Sequence, residues 1–191
     1  ARVDALRASC DAILVGAGTI RRDDPRLLVK SRALVRARVE RGRPEQPAKV
    51  TVTASGRLDP SQAFFTVGAA PRIVYVAGDA VALGRALGEV AAVVALPLPA
   101  SPRWLLEDLG RRGIQRVLVE GGSQVLTWFL AEDQVDELHV AIAPFLLADA
   151  AAVRFVGAAR LPFGPERRMP LRSVEQVGDM VVAVYQLKPR R

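Results

Sequence analysis

The chain has one cysteine in 191 residues, Cys10, so no internal disulfide can form. A reducing compartment agrees with that, and Cys10 itself reads as a small buried hydrophobe. Histidine is as scarce. His139 is the only one; a His-rich metal site is excluded, and its mid-strand place leaves it a structural role rather than one in a Ser-His-Asp triad. No metal is expected. Long apolar runs are also missing: VAAVVALPLPA at 90–100 is too short and too broken by proline to span a bilayer. The opening ARVDALRASC has no apolar signal core, so a cytoplasmic location away from membranes is the expectation. Lysine stands only at 30, 49 and 188, and the formal charge of +7 comes from arginines scattered along the chain. The one dense basic stretch, SRALVRARVERGRPEQPAK at 31–49, has no aromatic on which a base could stack. Nucleic acid is therefore not an expected partner; a phosphate-bearing small molecule suits these cations better.

What is present is half apolar and a quarter charged, the composition of a globular domain. Short β-like runs alternate with helical ones. DAILVG ends at Gly16 and reads as a buried strand, followed by a loop, AGTIRRDDPRLLVK. The basic segment after it permits a short exposed helix. KVTVT at 49–53 and PRIVYVAG at 71–78 are β-branched strands, and Asp79 is placed to cap the helix of DAVALGRALGEV. AAVVAL at 91–96 is the next strand. Ser101 and Pro102 then open a helix that Gly113 closes. IQRVLVE is a strand, SQVLTWFLAED a helix, VDELHVAIAP an alternating strand, and LRSVEQVGDMVVAVYQL a hairpin turning at Gly178-Asp179. Trp104 and Trp128 sit at helical spacing among leucines and read as packing residues. The alternation implies an α/β fold: a mixed, mainly parallel central sheet with helices on both faces, the C-terminal hairpin adding antiparallel strands at one edge. No linker interrupts residues 1–191, so a single domain is expected.

Two strand ends carry unusual chemistry, and ligands of open α/β sheets bind beyond such carboxyl ends. After the first strand, Gly16 and Gly18 keep side chains out of the turn, Thr19 offers a hydroxyl, and Asp23-Asp24-Pro25 closes the loop. The third glycine of a dinucleotide fingerprint is absent, which argues against a Rossmann domain. The second end is Glu120-Gly121-Gly122-Ser123. Its glycines let a diphosphate approach the first amides of the next helix, without the lysine of a nucleoside-triphosphatase loop. Glu120 ends an apolar run, where a carboxylate must be exposed, ion-paired or met by a polar ligand.

GAGTIRRDDPRLLVK, followed much later by VLVEGGSQVLTWFL and VDELHVAIAPFLL, resembles the reductase domain of riboflavin biosynthesis. That domain is the C-terminal part of the bifunctional deaminase-reductase and of its stand-alone relatives, with a dihydrofolate-reductase-like fold. The resemblance implies an NADPH-dependent oxidoreductase, 5-amino-6-(5-phosphoribosylamino)uracil reductase-like. It would reduce the ribosyl group of a ribosylaminopyrimidine 5′-phosphate to ribityl, in riboflavin biosynthesis or a paralogous pathway. It also implies that Thr19, Asp23, Gly121, Gly122, Ser123, Gln124, Val125, Leu126, Thr127 and Trp128 bind the cofactor. Leu27, Lys30 and Glu120 would contact the substrate, Asp23 would be the candidate proton donor, and the Gly121-Gly122 bond would be cis. A homodimer is implied too, with VDELHVAIAPFLL and the final hairpin as its interface strands.

Several features depart from that pattern. Lys30 stands where the family commonly uses arginine for the substrate phosphate, so the bidentate fork is lost. Thr53-Ala54-Ser55 replaces the usual Asp-Ser. Residues 31–49 look like an insertion, and the family's opening strand has no counterpart in this sequence. A non-catalytic nucleotide-binding relative of the fold is the alternative reading. Arg21, Arg22 and Arg57 are each candidates to read a cofactor 2′-phosphate, and the sequence does not choose among them or between NADPH and NADH.

Overall fold

The computed structural model describes residues 2–149 and 151–189. The chain divides into two compact units, Ala1–Leu126 and Thr127–Arg191. In the first unit, α1 (Arg2–Ser9) leads into β1 (Ala12–Gly16), α2 (Ala17–Asp23) and α3 (Arg32–Glu40). Then come β2 (Ala48–Thr53), α4 (Ala63–Thr66), β3 (Arg72–Val76), α5 (Ala80–Leu87), β4 (Ala92–Ala95), α6 (Pro102–Arg111) and β5 (Val117–Gly121). Its five strands are all parallel and lie in the order β4-β3-β2-β1-β5. All five residues of β1 are buried. Successive side chains of a strand face opposite ways, so this sheet is covered on both faces, as parallel sheets are. Ile13, Val15, Phe64, Phe65, Val74 and Val76 are at the centre of one core cluster.

Local signals set most boundaries. Asp79 accepts from the Ala82 amide at 2.9 Å, and Ser101 from the Arg103 amide at 3.2 Å, with Pro102 opening α6. Gly113 takes φ +81° just beyond the end of α6. The segment expected as a loop after β1 instead begins with the helix α2. Its Gly18 and Thr19 disfavour helix, but Ile20 is fully buried, and that burial outweighs intrinsic propensity. Asp24, left-handed at φ 40°, and Pro25 then end it.

The basic stretch 31–49 does form a helix, yet much of its charge is structural. Arg38 is 3 % exposed and donates to the carbonyls of Ala8, Cys10 and Pro44. Arg43 reaches the carbonyl of Ser9. Lys49 is wholly buried, with its ammonium on the carbonyls of Phe64 at 3.1 Å and Val67 at 2.6 Å. These are the last carbonyls around α4, which a short helix cannot satisfy by itself. Tyr75 donates to Asp108 at 2.7 Å, and Arg111 and Arg112 complete that carboxylate's shell. Trp104 meets Tyr75 edge-on, a packing role as expected.

A helix, α7 (Ser123–Ala131), starts in the first unit and ends in the second. The second unit holds β6 (Glu137–Ile142), β7 (Leu171–Val177) and β8 (Met180–Gln186), an antiparallel sheet in the order β6-β8-β7. The hairpin turns at Gly178-Asp179, with Gly178 at φ +65°. Its partner is β6, so the hairpin builds a sheet of its own instead of extending the parallel one. His139 lies on β6, its Nε2 3.3 Å from Glu137, while its buried Nδ1 has no partner. Trp128 packs edge-on against Phe129.

Candidate functional site

The strand order places one topological switch in the parallel sheet. From β1 the chain moves outward through β2, β3 and β4, then returns to put β5 on the other side of β1. In open α/β sheets ligands bind at such a switch, beyond the carboxyl ends of the strands. Both glycine motifs lie there, with Val15 of β1 in register with Gly121 of β5.

The two loops approach too closely for side chains. A Cβ on Gly16 would stand 2.9 Å from Val125 Cγ2, and one on Gly122 would stand 3.1 Å from Thr19 Oγ1. Gly121 has φ +141°, a conformation that side chains disfavour, and the Gly121-Gly122 bond is cis. The Gly122 carbonyl accepts from the amides of Val125 and Leu126, which seats α7 directly on the diglycine. Thr19 Oγ1 is buried and has no hydrogen-bond partner. A buried hydroxyl without a partner is rare in a folded protein, and this one lies against the diglycine. Thr19, Gly121, Gly122, Ser123, Gln124, Val125 and Leu126 are thus gathered at one crevice. Thr127 and Trp128 continue α7 into the second unit, where Thr127 Oγ1 accepts from the Gly157 amide at 2.8 Å.

Glu120 ends the same strand and is neither bare nor simply exposed. Arg7 of α1 grips it with a fork: Nε to Oε1 and Nη2 to Oε2, both at 2.6 Å. The third guanidinium nitrogen, Nη1, donates to the Leu28 carbonyl at 3.0 Å. Only 15 % of the Arg7 side chain and 19 % of the Glu120 side chain are exposed. The bond to Glu120 raises the Arg7 pKa still further, despite burial. One turn earlier on α1, Asp4 accepts from the amides of Lys30 and Ser31, at 2.7–3.1 Å. Arg7 and Asp4 are the residues that the sequence reading missed. Their one signal was indirect: a carboxylate closing an apolar strand needs a cation, and nothing local supplies it.

The remaining candidates divide. Asp23 is exposed and bonded by Arg22 through both oxygens, and that bond holds its carboxyl below the usual range. It is an anion at neutral pH, ready to accept hydrogen bonds and poorly prepared to donate a proton. Leu27 as a whole residue is 2 % exposed, part of the core cluster, with its backbone at φ +48°. With Asp24 it makes two left-handed non-glycine residues in one loop, a conformation that collects at functional sites. Lys30 is exposed at the loop's end, its backbone held by Asp4. Arg21 donates to the Arg57 carbonyl at 3.0 Å, and Arg57 Nε lies 3.4 Å from Ser55 Oγ, which brings two of the three candidate arginines together near the end of β2. Among the described residues no cluster of His, Cys, Asp and Glu could hold a metal, and no helix is long and apolar enough to cross a membrane.

The model of the RibD C-terminal domain family matches residues 1–183. The chain belongs to that family. Similar relatives include two proteins named 2,5-diamino-6-ribosylamino-4(3H)-pyrimidinone 5′-phosphate reductase. That of Archaeoglobus fulgidus is 35 % identical over 76 % of this chain and 67 % of its own length. That of Methanothermobacter thermautotrophicus is 32 % identical over 98 % of this chain and 84 % of its own. Among solved structures, a pyrimidine reductase-like protein from Corynebacterium diphtheriae superposes with a TM-score of 0.80. It covers 98 % of this chain and 80 % of its own at 22 % identity, a likeness of fold. In this RibD C-terminal domain the resemblance read from the motifs and the α/β fold both stand.

Proposed function

We propose that this chain is an NADPH-dependent reductase of a ribosylaminopyrimidine 5′-phosphate, converting its ribosyl group to ribityl in riboflavin biosynthesis. The observation that carries this reading is the β1/β5 switch, where the two glycine motifs meet and buried Thr19 Oγ1, lying against Gly122, has no hydrogen-bond partner. Glycine backbone and the first amides of a helix suit a diphosphate. Thr19, Asp23 and the run Gly121 to Trp128 would hold the cofactor; Leu27, Lys30 and Glu120 would hold the substrate. Arg21 and Arg57, joined by a bond from the Arg21 guanidinium to the Arg57 carbonyl, would be the candidates to read a 2′-phosphate.

When bound, the reduced nicotinamide supplies a hydride for the ring-opened, imine-like ribose carbon. The protein's part is to orient the two ligands and exclude competing water. Asp23, ionised by its arginine neighbour, acts as a hydrogen-bond acceptor, and the proton for the new amine comes from solvent. Glu120 accepts from N–H groups of the pyrimidine, while Lys30 pairs with the phosphate as a single charge.

The test is a spectrophotometric NADPH-oxidation assay with both the diaminopyrimidinone and the aminouracil ribosyl phosphates. Turnover with either supports the reading, and the ratio of the two names the substrate. Cofactor binding without turnover on either would favour a non-catalytic nucleotide-binding relative.

A homodimer is part of the same proposal. Leu171, Val174 and Val181 share one face of the β6-β8-β7 sheet with Ile142, and all four are 41–58 % exposed. Phe145, Leu146 and Leu147 extend the exposed apolar surface in the following loop. Soluble monomers rarely display so much apolar surface in one place.

A further inference from the structure

The basic segment that carries α3 leaves the body of the protein after Lys30 and returns to it at β2, and one side chain closes its neck. Gln46 is half-buried, two residues ahead of β2, and its carboxamide lies against the main chain of Val29, seventeen positions earlier. The Val29 N–H donates to Gln46 Oε1 at 2.8 Å, and the Val29 carbonyl accepts from Gln46 Nε2 at 3.1 Å. One side chain therefore pairs with a peptide as a neighbouring strand would. It does so at the residue before Lys30. Val29 is itself buried, so its side chain and main chain are both held while Lys30 beside it is exposed. We propose that Gln46 is a positioning residue for the substrate phosphate, fixing the main chain at Val29 and so setting where the Lys30 ammonium stands. This rests on the reading of Lys30 as the phosphate ligand.

A lysine needs such a fixed root more than an arginine does. Its ammonium is a point charge on a flexible four-carbon stem, without the planar fork by which a guanidinium aligns itself on a phosphate. The place of the charge is then set by the backbone from which the stem departs. A carboxamide offers an acceptor and a donor side by side, the complement of a peptide N–H and C=O. Beyond Gln46 the chain is rigid: Pro47 and Ala48 are buried, and the Ala48 amide donates to the Asp11 carbonyl at 2.8 Å. Lys30 is thus referred to the parallel sheet through one side chain instead of through the whole of the segment between. Asp4 adds a second hold on the next amide, that of Lys30 itself.

The experiment is titration calorimetry of a ribosylaminopyrimidine 5′-phosphate and of its dephosphorylated form. The proteins are the wild type, Gln46→Met, Lys30→Met and the double variant, all as the full chain. The ratio of the two affinities is the preference for phosphate. Gln46→Met is expected to lower that preference about 3- to 10-fold, the range for lost neutral hydrogen bonds, while the dephosphorylated form and NADPH bind within about twofold of wild type. In the Lys30→Met background the same change should alter the preference less than about twofold, because Gln46 acts through that ammonium. If Gln46→Met fails to fold, Gln46→Glu carries the test. It keeps the acceptor for the Val29 N–H but sets an oxygen against the Val29 carbonyl, so a full wild-type preference there overturns the role assigned to the carboxamide. Equal weakening of both forms by Gln46→Met marks a merely structural residue and overturns the proposal, as do losses that add in the double variant. Loss of preference with Lys30→Met but none with Gln46→Met overturns the positioning role and leaves the reading of Lys30 intact. Unchanged preference in Lys30→Met overturns that reading, and this inference with it. Failure of the wild type to bind either form overturns the proposed function itself.

Discussion

The two sheets of this protein solve the same problem differently. In β1 every residue is buried, and in β7 every residue is exposed. The first sheet is parallel, its crossovers are helices, and those helices cover both faces with protein. The second is antiparallel, joined in part by a tight turn that brings no cover with it, so one face keeps Leu171, Val174 and Val181 in solvent. The lesson is that apolar content does not report burial. Connection type does, because a helical crossover carries its own packing surface and a hairpin does not.

The largest effect should come from breaking the covered sheet. Leu14→Ala empties a site with no exposed surface and is expected to destabilise by about 2–5 kcal/mol. Val174→Ala, at a site 58 % exposed, should cost under about 0.5 kcal/mol in a monomer. Urea unfolding of both variants measures the contrast; similar costs would show that the second sheet is covered in solution.

Lys49→Met comes next, at about 1–3 kcal/mol, because the carbonyls of Phe64 and Val67 lose their donor. This residue also gives a pH signature. Burial, aided by Arg72, lowers its pKa from 10.5 to about 8. The unfolded chain therefore binds more protons than the folded one between about pH 8 and 10.5, and wild-type stability from this group rises across that window. The neutral amine still has two N–H groups for its carbonyls. The gap between wild type and Lys49→Met should widen as pH rises from 8 towards 10; a gap that narrows would show an ammonium held charged by those carbonyls.

Tyr75→Phe should cost about 1 kcal/mol, since Arg111 and Arg112 still serve Asp108. Thermal melts would detect it. The smallest effect on stability, and the sharpest test of the exposed sheet, is Leu171→Asp with Val174→Asp. The proposed dimer should dissociate in sedimentation analysis while the melting temperature of the monomer stays within about 2 °C, as surface substitutions allow. A wild type that sediments as a monomer would end the proposal.

The sequence by itself determined the strands and the helices α3, α5, α6 and α7, because their signals are local, whereas α1, α2 and α4 were not read from it. Alternating β-branched runs marked β2, β3 and β8. Asp79, Ser101 and Pro102 announced helix starts through the amides they cap or spare, and Gly178-Asp179 announced a turn. The glycines at 16, 121 and 122 pointed to the crevice for the same reason, since a missing side chain can be read off directly. Tertiary structure alone decided what those glycines face and what the charges are for. Arg7 and Glu120 are 113 positions apart and meet because α1 leads into β1, the neighbour of β5. Likewise the folding of α2, the burial of Arg38 and Lys49, and the pairing of the hairpin with β6 follow from long-range packing. Periodicity and capping carry information over a few residues, whereas the partner of a buried charge is fixed only once the sheet order brings distant segments within bonding distance.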